Sequence, residues 1–500
     1  MARTVVIGAG VGGLAAAARL GALGHEVTIC EQAPVIGGKL GVFRRDGFSF
    51  DTGPSLLTLP AVYRDLFLKT GEPLEQVLEL SAVDPVCHYR FADGIELDIP
   101  NAAPHLVARA WDDALGEGAG ADWTAFMKQA ARIWDVTRGP FLESPLAGTR
   151  TLIKLSRNLG NVRTVAPWLS LRQLGRRYLR HPDQRIFLDR YATYTGSDPR
   201  AAPAALATVP YVEQAFGAWY VPGGLYRLAE AVADRARATG VKIRTGATVE
   251  EVLVSRGRVN GVRLAGDEKL AADVVVANAD AQHLYRDLLP GSEGSPGRKA
   301  LSKAEPSLSG FVLLLALRGR TPGLRHHTVL FPADYDAEFD HVFGTGRSAG
   351  RPAPVPDPTI YISAPDDPAL RPDDDHEAWF VLVNAPRHDP EHGVDWDAAG
   401  LAGQYADRIL TLMAERGLDV RDRLLWREVR TPADLERDTG SVGGAIYGTS
   451  SNGARSAFLR PANRSAVDGL FLVGGSSHPG GGLPLVGMSA AIVAELIGPA

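Results

Sequence analysis

Residues 4–31 read TVVIGAGVGGLAAAARLGALGHEVTICE, a stretch that leaves few folds open. The β-branched run at 4–7 has the character of a short parallel strand buried on both faces. Gly8, Gly10 and Gly13 then supply the GxGxxG spacing. In such a turn the first glycine makes the bend and the second lets a pyrophosphate reach the backbone. The third lets helix and strand pack closely. The alanine-rich segment 14–23 is a strong helix former whose positive end faces the loop. Residues 26–30 make the next strand, and Glu31 follows 18 positions after Gly13. There a carboxylate accepts hydrogen bonds from a ribose 2′-hydroxyl. The reading is a nucleotide-binding βαβ unit, and the acid favours FAD or NAD over NADP.

Two further stretches choose FAD. VIGGKLGVFRRDGFSFDTGPS (35–55) places Gly37, Gly38 and Lys39 soon after Glu31, with Gly53, Pro54 and Ser55 beyond a short strand. A plain NAD domain continues with another βα unit instead. GGSSHPGGGLPLVGMSA (474–490) follows a strand at 470–473 and strips side chains from a whole loop. Glycine is costly to order, so such crowding implies that something flat approaches the backbone. Pro484 suits a first helical turn and Gly498 a C-terminal cap, which gives a helix over about 485–497. Its positive end favours the negative charge that a reduced flavin carries on its pyrimidine edge.

These loops, together with VPGGLYRLAEAV (221–232), resemble the phytoene desaturase family of carotenoid-modifying flavoproteins, within the amine-oxidase-like flavin superfamily. The resemblance runs along most of the chain and is densest at 4–60, 190–290 and 440–497. It implies that Gly8, Gly10, Gly13 and Glu31 hold the adenosine diphosphate half of FAD. Gly38, Lys39, Gly53, Pro54 and Ser55 would line the pyrophosphate and ring. Val249 would meet the adenine, near Asn278, while Gly474, Gly475, Gly482, Leu483, Pro484 and Met488 would contact the flavin. The implied activity is dehydrogenation of an acyclic carotenoid or related long apolar polyene, with hydride passing to flavin N5. The ending SSHPGGGLP is more like relatives that act on hydroxylated or shorter carotenoids or oxidise end groups. End-group oxidation and polyene isomerisation therefore stay open. A non-enzymatic isoprenoid carrier of the GDP-dissociation-inhibitor type shares the architecture, but the complete glycine set argues against it.

The implied fold is α/β. A discontinuous Rossmann-like FAD-binding domain takes 1–90, 220–290 and 440–500. A helical lid spans 91–219, and a mixed-sheet substrate domain spans 291–439. Within the first, VKIRTG, TVEEVLVSRG and RVNGVRLA read as a β-meander. A chain of 500 residues exceeds what one core usually supports, which agrees with several units. His478 is the titratable group of the flavin loop and a candidate for proton traffic, the alternative being that it braces the loop. His326 and His327 adjoin on a strand and would face opposite ways, unable to share a metal. Two cysteines, Cys30 and Cys87, are too few for a disulfide framework or thiolate site, so no metal is expected.

A net charge of −5 gives no case for nucleic acid. No apolar run reaches the roughly 18 residues of a membrane span, and no signal peptide is evident. The expected location is cytoplasmic. Yet 144–182 holds eight basic residues and no acid, interleaved with leucines, Trp168 and Tyr178. Such a segment suits an anionic membrane surface, or else a lid whose arginines pair with distant acids. With no second GxGxxG after a strand, electrons are expected to leave to oxygen or a quinone rather than to a nicotinamide.

Overall fold

A computed structural model of the chain describes residues 1–146, 158–348, 350–453 and 460–500. Five short strands form a parallel sheet in the order Leu470–Leu472, Val274–Ala277, Arg3–Ile7, Glu26–Cys30, Lys242–Arg244. Three sequence segments far apart in the chain thus meet as neighbours, with Thr4 beside both Val274 and Val27. The strands are mostly apolar because long helices cover one face and the residues 249–264, with Leu284 and Leu288, cover the other, so neither face is left to water. Helix Val11–Ala22 buries ten of its twelve residues. Its alanines let helices Tyr226–Ala238 and Leu483–Ile497 pack closely against it in one core.

The strand Lys242–Arg244 joins this sheet, parallel to Glu26–Cys30. The expected meander therefore begins later, with Val249–Ser255, Arg258–Leu264 and Lys269–Ala271 in a separate antiparallel sheet. VKIRTG is too short to show which sheet edge will take it.

A seven-stranded mixed sheet forms the second layer, in the order Leu424–Arg430, Ser309–Arg318, His376–Ala385, Ile360–Ser363, His327–Leu330, Cys87–Arg90, Glu96–Ile99. Its strand Ser309–Arg318 is apolar on both faces. Phe311, Leu313, Leu315 and Leu317 pack toward helix Leu401–Glu415, while Val312, Leu314 and Ala316 pack with Phe48, Phe50 and Phe380. Cys87–Arg90 and Glu96–Ile99 belong here, so the segment assigned as 1–90 gives its last strand to the substrate sheet.

Residues 104–216 supply the helical layer. Helices Pro104–Leu115, Ala119–Thr137, Leu171–Tyr178, Pro182–Thr193 and Thr208–Phe216 surround a core that includes Trp111, Trp123, Phe126 and Phe187. Ser170 and Gln173 form a capping box at the start of Leu171–Tyr178, fixing where it begins. Among the described residues, no helix is long and apolar enough to cross a membrane.

Candidate cofactor and substrate site

One cavity of about 890 Å³ runs from the parallel sheet into the helical layer. At the sheet end its walls are mostly backbone. Gly8, Gly10, Glu31, Gly38, Lys39, Gly53, Pro54, Ser55, Val249, Asn278, Gly474, Gly475, His478, Gly482, Leu483 and Pro484 all line it. Chain ends more than 400 positions apart therefore share one wall.

Gly13 lies outside the lining, where its role is packing. A Cβ there would sit 2.2 Å from the Gly8 carbonyl oxygen, a distance no real side chain tolerates. Glu31 is buried, and both its oxygens hold the turn. Oε2 accepts from the Ala9 N–H at 2.6 Å and Oε1 from the Ala33 N–H at 2.8 Å. The acid predicted to meet a ribose thus also clamps the loop beneath it. Asn278 stands between the two glycine loops, its Nδ2 donating to the Gly8 carbonyl at 3.4 Å. A Cβ on Gly12 or Gly474 would strike the Asn278 Oδ1 at 2.7 or 2.5 Å.

Lys39 is half-buried in the cavity wall. Its ammonium donates to the carbonyls of Ala445 at 2.9 Å and Ile446 at 2.7 Å, and burial lowers its pKa to about 8. Arg460 acts similarly, donating to the carbonyls of Tyr447, Gly475 and Thr449 at 2.8–2.9 Å, with burial lowering its pKa to about 10. Lys39, the buried Arg460 and the nearby Asp280 thus organise the glycine-rich turn at 443–450 beside the closing loop.

His478 is joined to Pro479 by a cis peptide bond. Its carbonyl accepts from Asn463 Nδ2 and Ser489 Oγ, each at 2.8 Å, and its Nε2 lies 3.0 Å from the Ser144 carbonyl. Nε2 therefore carries the hydrogen of a neutral imidazole, and burial holds the ring's pKa below the usual histidine range. This geometry braces the loop against 143–146 and leaves only Nδ1 for other work. Met488 sits on the helix Leu483–Ile497 but does not line the cavity, unlike Leu483 and Pro484 in its first turn. Position 488 lies one turn beyond Pro484 on the same helix face, farther from the loop than the lining residues 482–486.

His326 and His327 are not split across a strand. His326 precedes the strand His327–Leu330, and the two rings lie 4.4 Å apart. His327 is buried and His326 half-buried, and desolvation holds both neutral, with pKa values lowered to about 4 and about 2. His327 Nδ1 meets the Val86 carbonyl at 2.9 Å. They belong to the core beneath the substrate sheet.

The donors and bare backbone of the sheet end fit FAD. Glu31 supplies a buried carboxylate, the N-terminus of Val11–Ala22 opens onto the cavity at Gly10 and Val11 and suits an anionic group, and the glycines leave the wall bare. A family model for flavin containing amine oxidoreductase matches residues 11–327. The chain belongs to the flavin containing amine oxidoreductase family. This flavin oxidoreductase is 34% identical to a 4,4′-diapolycopene oxygenase of Methylomonas sp., covering 99% of this chain and 98% of that one. It is 35% identical to a hydroxyneurosporene desaturase of Rubrivivax gelatinosus, over 99% and 93%. A putrescine oxidase bound to putrescine shares the fold, with a TM-score of 0.65 at 14% identity over 99% of each chain. The relatives place it in the carotenoid-modifying branch, and its cofactor is FAD.

At its other end the flavin oxidoreductase builds the cavity from side chains. Trp134, Leu142, Val162, Val165, Leu206 and Val209 make an apolar gallery, with Val312, Phe380 and Leu382 of the seven-stranded sheet as the opposite wall. Set into it are Arg190, Tyr194, Glu213 and Tyr361, the last joined to Ser55 by a 2.5 Å hydrogen bond between hydroxyls. Sequence reasoning missed these four, as well as Arg460 and Asp280. Each is a polar residue inside an ordinary helix, strand or turn, with no spacing that marks it.

Proposed function

We propose that this flavoenzyme dehydrogenates a long, mostly apolar polyene of the carotenoid class. The observation that carries the reading is the continuity of the cavity, from a backbone-walled nucleotide cradle into a gallery of apolar side chains. The curated relatives named for carotenoid desaturation and oxygenation support it. Bound FAD supplies the two-electron acceptor for a CH–CH unit that loses one hydride and one proton. The chain's own part is to hold the polyene, aim one bond toward the ring position and keep water out. Lys39, Arg460 and the N-terminus of Leu483–Ile497 add positive potential around the closing loop, which favours negative charge there. The other residues named for the cofactor keep the roles given by the resemblance, Met488 excepted.

Desaturation is tested against end-group oxygenation by expressing the protein in a host that makes acyclic carotenoids. A red-shifted pigment with two hydrogens lost per step supports desaturation. A mass gain of oxygen supports the oxygenase reading that the Methylomonas relative favours.

We further propose that the polyene enters from a membrane surface. Leu159 and Trp168 are 71% and 59% exposed. The helix Leu159–Val165 between them lines the cavity with Asn161, Val162 and Val165. Among the described residues, Arg163, Arg176 and Arg177 are exposed and have no acidic partner, which suits anionic headgroups. Arg172 and Arg180 instead pair with Asp189 and Asp122, each at 2.8 Å, so part of the basic stretch is structural. Arg150, Lys154 and Arg157 lie outside the described residues. Flotation with anionic liposomes that is lost in high salt is the expected result. Electrons then pass to oxygen or a quinone, and NADH should leave the flavin absorbance unbleached.

A further inference from the structure

A hydrocarbon needs no charge in its cavity, yet this one has a guanidinium in the wall. Arg190, on the helix Pro182–Thr193, is 7% exposed and lines the cavity. Its guanidinium lies over the rings of Tyr194, Tyr361 and Tyr89 at 5.0, 5.4 and 5.7 Å from their centroids. Nη1 donates to the Tyr194 hydroxyl at 2.6 Å. Among the described residues no carboxylate forms an ion pair with it. Aromatic faces and one phenol only partly offset the desolvation of such a cation. Glu213 is buried in the same cavity wall and is tied to Tyr191, the residue that follows Arg190 on its helix. Its Oε1 accepts from the Tyr191 hydroxyl at 2.6 Å, while Oε2 accepts from no described residue.

The cavity therefore offers a cationic donor and an open carboxyl acceptor among apolar walls. We propose that Arg190, Tyr194 and Glu213 hold a hydroxyl group on the polyene, so that the preferred substrate is hydroxylated near one end. The inference rests on the function proposed above and narrows its substrate class. An alcohol oxygen accepts from the guanidinium, and its hydrogen is donated to the carboxyl. A plain hydrocarbon offers neither group a further partner, and a site built to bond a hydroxyl discriminates most strongly against the analogue that lacks it. A carboxylate end would set a second acid against Glu213.

The test uses the flavin-loaded enzyme with three probes: an acyclic carotenoid, its hydroxylated derivative and a carboxylated one. Anaerobic bleaching of the flavin and product spectra are both recorded. Wild-type kcat/KM should favour the hydroxylated probe over the parent by about tenfold or more. Arg190→Leu, Glu213→Gln and Tyr194→Phe should each lower that ratio, the arginine change most. A merely structural role would lower both rates together and leave the ratio unmoved. Should Arg190→Leu fail to fold, Tyr194→Phe removes a single oxygen and carries the same comparison. Equal use of parent and hydroxylated probe, an unmoved ratio in flavin-retaining variants, or preference for the carboxylated probe would overturn the hydroxyl assignment alone. Inertness toward all three polyenes would overturn the proposed function itself.

Discussion

The two ends of the cavity are built from different parts of the polypeptide. At the sheet end the cavity wall is largely glycine backbone, with Glu31, Lys39 and Asn278 among the side chains set between the glycines. At the helical end it is made of side chains, and the backbone is hidden behind Trp134, Val165 and Leu206. A backbone wall has almost no freedom to vary, because any added Cβ must displace something. A side-chain wall changes with each substitution while the fold stands. The first end therefore fixes the cofactor, and the second is where substrate choice is written.

The largest effect should come from placing a side chain in the tight packing directly behind the backbone wall. Gly13→Val pushes a Cβ into the Gly8 carbonyl, 2.2 Å away, with Asn278 Cβ at 3.0 Å behind it. Neither neighbour is a flexible tip that can swing aside. The variant should lose bound flavin altogether and on the order of 3 kcal/mol of stability. Visible absorbance after gel filtration, together with Tm, checks both. A yellow, stable Gly13→Val protein would break the contrast at its strongest point.

Glu31→Ala comes next, because it removes a partner rather than adding an obstacle. The Ala9 and Ala33 N–H groups lose acceptors at 2.6 and 2.8 Å in a buried place. Each unpaired donor costs about 1–3 kcal/mol. Flavin affinity should fall at least tenfold, measured by fluorescence titration of the stripped protein. The loss should appear as weaker binding of FAD rather than altered pigment.

The opposite end should answer in the opposite way. Val165→Trp fills the gallery where the helix Leu159–Val165 faces the cavity. We expect flavin content to match the parent while pigment conversion falls by about tenfold, with shorter polyenes affected least. Pigment extracts and absorbance ratios read the two quantities separately. Loss of flavin in this variant would show that the two ends are not independent.

That division also sets what the sequence could reveal. The GxGxxG turn, Glu31 and the closing glycines were legible because a tight turn and close approach allow one residue type at each position. The strands of the parallel sheet were legible for a related reason, being short β-branched runs beside those turns. Met488 was read as a contact from its nearness in sequence, whereas the helix Leu483–Ile497 reaches the cavity with its first turn and position 488 lies one turn beyond. The Lys242–Arg244 strand was misassigned because three residues have no pattern that selects a sheet. Arg190 and Glu213 were invisible: their helices mix charge and apolar residues in ways that local spacing does not resolve, and only packing brings them together.

The smallest effect tests the seam between the two ends. His478 belongs to the cofactor loop, while its Nε2 reaches the Ser144 carbonyl at the edge of the helical layer. His478→Gln keeps a donor of similar reach. If bracing is the role, flavin should stay bound, turnover should drop only a few-fold, and stability should fall by about 1 kcal/mol. A collapse of turnover with full flavin content would instead make the imidazole a participant in proton transfer. The pH profile supplies a separate sign. Burial lowers the pKa values of His326, His327 and His478 in the folded state, to about 2 and about 4 for the first two. Between those values and the unfolded value near 6.5, the unfolded chain binds more protons than the native one. Stability from these residues is thus complete above about pH 6.5 and declines as pH falls below it. Urea midpoints between pH 7 and pH 5 should fall for the parent and fall less for His327→Gln, measured relative to its own value at pH 7. The His478→Gln slope should change in the same direction, which separates a buried neutral brace from a group that must gain a proton to work.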